Sequence, residues 1–116
     1  MFYDIKQMSR ELGIKNIPAI RIHTYQSPYR GAYSYQDNTV HLWPAADIIT
    51  VYHELVHCKQ YESGKLRIDK AGVRVWRGKY STPCVGHYEY MDYYNKPWER
   101  QARLVAAKLS KGVVRG

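Results

Sequence analysis

Two histidines four residues apart, with a glutamate directly after the first, form the segment His53-Glu54-Leu55-Val56-His57. On a helix, side chains four apart share one face about a turn from each other, so both imidazoles can reach one metal ion. Glu54 projects about 100° away from His53, near enough to touch a water without becoming a ligand. That division of labour suits metal-assisted hydrolysis. Neutral nitrogens hold Zn²⁺, a carboxylate takes a proton from water, and one coordination position stays open.

Catalytic zinc sites usually have a third protein ligand. The candidates are Glu99, His87, Cys84, His41, His23 and Cys58. Cys58 directly follows His57 and points round the helix, as a small buried residue would. Cys84 and His87 form a C-x-x-H pair in a stretch without helical periodicity. His23 and His41 alternate within strand-like segments, which suits structural or substrate-facing roles. Glu99 opens the last helix, and Ala102 and Ala106, three and seven residues on, leave its face small enough for close packing on the motif helix. A carboxylate there also opposes the helix dipole, worth ~0.3–1 kcal/mol.

The elements that must position these groups follow from periodicity. Residues 3–12 predict a short helix, stopped by Gly13. Ala19 to Tyr25 alternates like a half-buried strand. Tyr33-Ser34-Tyr35 and Thr39-Val40-His41-Leu42 flank a polar tip and predict a hairpin. From about Pro44 or Asp47, the latter a good N-cap, to Glu62 the pattern is helical, with Ile48, Tyr52 and Leu55 on one stripe and Gly64 as a stop. Residues 73–76 and 79–80 predict a second hairpin about Arg77-Gly78. Residues 81–96 read as a tyrosine-rich loop, and Pro97 starts a last helix with Trp98, Ala102, Val105 and Leu109 on one face. The expected architecture is α+β, a single domain over residues 1–116 with a small, mostly antiparallel sheet, the motif helix and a C-terminal helix.

Length and charge bound the function. The chain has 116 residues, which allows one modest core and no separate cofactor domain. It carries 18 Lys and Arg against 10 Asp and Glu, for a formal net charge of +8, and 12 Tyr against one Phe. No apolar run approaches the ~20 residues of a membrane span, and the first twenty residues are too polar for a signal-peptide core. Two cysteines are too few for a disulfide scaffold. A cytoplasmic protein with no membrane partner is the expectation.

The residues that carry chemistry resemble a known group. A helix bearing His53-Glu54-x-x-His57, preceded by a hairpin and followed by Pro97-Trp98-Glu99-x-x-Ala102, is similar to the zincin metallopeptidases of the gluzincin kind. The likeness is greatest to their single-domain forms, the minigluzincins, and to small HExxH proteins common in phage and prophage genomes. Trp76-Arg77-Gly78-Lys79-Tyr80 and Tyr93-Tyr94 also look like that group, and the likeness covers roughly residues 31–110. It implies a zinc-dependent endopeptidase of zincin-like fold, with His53, His57 and Glu99 as ligands and Glu54 as general base. It further implies that a peptide substrate pairs with an edge strand just before the motif helix, here Thr39, Val40, His41 and Leu42. Many relatives carry an acid two residues after the ligand Glu, where this chain has Gln101. For the developing oxyanion a Tyr hydroxyl or neutral His is suitable, and Tyr94 leads Tyr90, Tyr93 and His87 in that role.

Two rival expectations come from other classes. One is a nucleic-acid-associated protein with a structural zinc site. Segment 59–80 holds seven basic residues against Glu62 and Asp69, interleaved with Tyr61, Trp76 and Tyr80. The other is a peptide-binding pseudo-enzyme, against which the intact Glu54 argues.

Overall fold

The computed structural model describes residues 3–70, 73–80 and 95–114. At its centre is the motif helix, α2 (Ile48–Glu62). Asp47 caps its N-terminus: the carboxylate accepts from Thr50 N at 2.9 Å and from the Thr50 hydroxyl at 2.8 Å. Gly64, with φ +79°, follows the last turn in the left-handed conformation that glycine adopts freely. Val51, Tyr52, Leu55, Val56 and Cys58 are all buried, together with Glu54, His57 and Gln60. A helix buried on so many sides needs neighbours on several of them.

One neighbour is a three-stranded sheet of β1 (Ala19–Ile22), β2 (Gly31–Ser34) and β3 (Thr39–Leu42). The order is β1-β3-β2, with β1 parallel and β2 antiparallel to β3. Val40 and Leu42 point from β3 into the core beside Val51, Tyr52 and Leu55. The predicted hairpin of β2 and β3 therefore forms, with Asn38 (φ +49°) turning the chain at its tip. Thr39 to Leu42 is not the expected edge strand. It is flanked on both sides, because β1 returns beside it in parallel, and its backbone has no free edge to offer a peptide. β2 is the edge.

α1 (Ile5–Glu11) packs near the other side of α2, where Tyr52 Oη donates to Glu11 Oε2 at 2.8 Å. A second antiparallel sheet consists of β4 (Leu66–Ile68), β5 (Arg74–Trp76) and β6 (Lys79–Tyr80). Arg77 and Gly78 both have positive φ, +49° and +83°, which makes the tight β5–β6 turn. β4 is an addition to the predicted order. Its three residues are too few to show a period.

The last helix, α3 (Pro97–Val114), lies against α2 through small side chains. Ala102 and Ala106 are 0% exposed, which is the close approach their size allows. Trp98, almost fully buried, meets Trp76 of β5 with ring centroids 6.4 Å apart. The described residues thus form a small α+β fold with three helices and mostly antiparallel strands. Among them no helix is long and apolar enough to cross a membrane.

Candidate metal centre

α2 presents His53 and His57 one turn apart, and α3 brings Glu99 to them from its first turn. Glu99 Oε1 lies 3.1 Å from His53 Nε2 and 3.3 Å from His57 Nε2. Its Oε2 lies 3.2 Å from His57 Nε2. One ligand atom from each residue falls within 4.8 Å of the others, and His53, His57 and Glu99 can hold a metal ion. The Glu99 contacts are hydrogen-bond distances, and donors around a tetrahedral ion such as zinc also stand about 3.3 Å apart.

The electrostatics follow from burial and proximity. Burial alone would raise the Glu99 pKa, but hydrogen bonds from His53 and His57, with their charge, hold the carboxyl far below its ordinary range. Burial disfavours a charged His57, yet the Glu99 carboxylate raises that imidazole above its ordinary value, helped by Glu54 and Gln60. Glu54 is 8% exposed. Burial raises its pKa, the two histidines oppose the rise, and Glu99 adds to it. A carboxylate shifted upward is a stronger proton acceptor near neutral pH.

Gln60 is a functional candidate that periodicity does not single out. Its Oε1 lies 2.8 Å from His57 Nδ1, and its Nε2 donates to Trp98 O at 2.9 Å and to Gln101 Oε1 at 3.0 Å. An amide that donates to two oxygens turns its carbonyl to His57. Nδ1 then carries a proton, and Nε2, which here donates to Glu99, is the nitrogen that would give up its proton to an ion. The Gln101 side chain helps to fix this amide.

Gly31 is a second such residue. A Cβ there would lie 2.7 Å from Thr50 Cγ2 and 3.1 Å from Glu54 Cγ, closer than packed atoms stand. Only glycine lets the edge strand β2 pass so near the Glu54 stem. Both residues help to line a cavity of about 470 Å³, together with Tyr33, His53, His57 and Glu99. Tyr61, Arg74 and Tyr29 also line it. A neighbouring cavity of about 410 Å³ shares the Tyr33, Tyr61 and Leu66 walls and extends towards Cys58 and Ile68.

The other expected residues lie elsewhere. Cys58 Sγ donates to Asn38 Oδ1 at 3.4 Å, on the side of α2 that faces the hairpin. His23 and His41 pair with each other at 2.9 Å on the first sheet. Cys84, His87, Tyr90, Tyr93 and Tyr94 fall outside the described residues. The basic residues of segment 59–80 go to different places. Lys59 donates to Gly13 O at 2.8 Å, Arg74 lines the cavity, and Arg77 lies 5.3 Å over the Trp76 ring.

No protein-family model, curated protein or solved structure matches the chain.

Proposed function

We propose that the chain is a zinc-dependent endopeptidase of the gluzincin type, with a zincin-like fold. One observation carries this reading: potential ligand atoms of His53, His57 and Glu99 lie within 4.8 Å of one another, and Glu54 lines the same cavity without joining that set. Two nitrogens and a carboxylate suit zinc among divalent ions. An ion bound there would lower the pKa of a water towards ~7 and polarise a carbonyl.

The chain's own groups do the rest. Glu54, its pKa raised by burial, accepts the proton of the attacking water and passes it to the leaving amine. Gln60 keeps a proton on His57 Nδ1, so that Nε2 is the nitrogen that would exchange its proton for an ion. The oxyanion needs another donor, and Tyr61 and Arg74 are described residues that line the cavity. Tyr94 stays a further candidate. An extended substrate segment pairs with β2, whose backbone from Gly31 to Tyr33 borders the cavity, in place of the Thr39–Leu42 strand.

The test is restoration of activity. Protein stripped by a chelator should not cleave an unstructured protein, and one equivalent of zinc should restore cleavage. Failure of zinc to restore cleavage contradicts the reading. A second reading has its own support, since Glu99 already satisfies both imidazoles by hydrogen bonding. The triad is then a metal-free ion-paired strut between α2 and α3, and zinc added to the purified protein would leave its melting temperature unchanged.

A further inference from the structure

The first sheet has a second decorated face. Val40 and Leu42 point from β3 to α2, so the alternation turns His41 to the other side, in register with Arg21 of β1 and Ala32 of β2. One step on, Trp43 N bonds to Arg30 O at 3.0 Å and His23 N to Leu42 O at 2.8 Å, which carries the row past the strand ends. His23 stacks on Trp43 (centroids 4.6 Å apart, planes 15° apart) and on His41 (5.2 Å, 13°). Tyr25 meets His23 edge-on at 5.6 Å, and Tyr29 tilts against Trp43 at 6.2 Å. Tyr25 and Tyr29 are 60% and 66% exposed, unusually so for large rings.

The rings lie between two cations, Arg21 and Arg30, and Asp37 at the hairpin tip, near enough to His41 to interact with it, is an acid on the same face. From Leu12 to Gln36 the chain contains no Asp or Glu, and Arg21 and Arg30 stand on opposite edge strands or their extensions. Asp47 approaches Arg30 only to 3.9 Å, with both side chains more than half exposed, so that contact is readily exchanged. A ring cluster flanked by cations is what a single strand of nucleic acid requires: bases have faces to stack, and phosphates need countercharge. An acidic peptide would use the arginines and leave the rings idle. A duplex hides its base faces.

We propose that this face binds single-stranded nucleic acid, with bases on Tyr25 and Tyr29 and phosphates on Arg21 and Arg30. Tyr29 also lines the metal-centre cavity, so a bound strand would lie at its mouth. The inference does not rest on the metal reading, because none of its contacts uses the centre.

Fluorescence anisotropy of a short labelled oligothymidine with the full chain, at about 50 and 200 mM salt, tests it. Binding should weaken with salt, exceed binding to a duplex, and survive chelation. Tyr25→Ala, at an exposed ring, should weaken it by about fivefold or more. Arg21→Gln should reduce the slope of log K against log salt by about 0.7, the share of one phosphate. Absence of binding at the lower salt overturns the proposal. So does binding that both variants leave unchanged while Lys108→Gln with Lys111→Gln on α3 abolishes it.

Discussion

His57 Nδ1 lies 2.8 Å from Gln60 Oε1, one turn further along the same helix, and the Gln60 amide is anchored in turn to the start of α3. The ligand and the residue that orients it thus share α2, while their anchor shares α3 with Glu99. Any loosening of Gln60 should therefore be felt in metal binding before it is felt in the fold.

Gln60→Leu should weaken zinc binding by about 10–100-fold, the usual cost of losing a group that orients a ligand histidine. Competition with a zinc-sensitive dye measures it. Gln60→Glu keeps an acceptor for Nδ1 and should retain most of the affinity. Equal affinity in Gln60→Leu and the parent would remove Gln60 from this role.

Gly31→Ala should destabilise the protein by about 1–3 kcal/mol, the cost of forcing an extra carbon into packed surroundings. The first clash is with Thr50 Cγ2 at 2.7 Å, so adding Thr50→Ser, which removes that methyl and keeps the hydroxyl on Asp47, should recover part of the loss. Urea unfolding of both variants decides it. No recovery would place the strain on Glu54 instead.

These two residues mark where sequence reading stopped. The ligands were legible because helical spacing alone puts His53 over His57, and small residues after Glu99 imply a close helix partner. Helix and hairpin positions followed from caps and alternation. Gly31 gave no signal, because it reads as ordinary turn chemistry after Ser27 and Pro28. Its need arises only when β2 crosses α2. The edge strand was misplaced for a related reason: alternation shows that Thr39 to Leu42 is a strand but not that β1 lies parallel along its other side. Gln60 is polar on a helix, and only tertiary contact distinguishes it from a solvated residue.

Glu62 gives a pH signature away from the centre. Its carboxylate accepts from Asn16 N at 2.8 Å and Lys15 N at 2.9 Å, and these backbone donors hold its pKa below the ordinary value. A depressed carboxyl contributes stability above its unfolded pKa of about 4.3, and that contribution is lost as pH falls through the lower folded value. Because Glu62 is exposed and screened by solvent, Glu62→Gln should cost about 0.5 kcal/mol or less at pH 7, and the gap to the parent should close below about pH 4. A gap independent of pH would contradict the assignment.

Metal removal should loosen the junction of α2 and α3. Zinc at about 100 times its dissociation constant stabilises a folded protein by about 2.7 kcal/mol, so chelation should lower the melting temperature measurably. Glu99→Ala should bind zinc weakly, and its melting temperature should not respond to chelator. A response as large as the parent's would exclude Glu99 as a ligand.

The most direct measurement is peptide hydrolysis by Glu54→Gln beside the parent, with zinc content determined in the same samples. The account predicts near-stoichiometric zinc in both and cleavage only in the parent, because Gln cannot accept the water proton. Cleavage by Glu54→Gln at the parent's rate, with zinc fully retained, would contradict it.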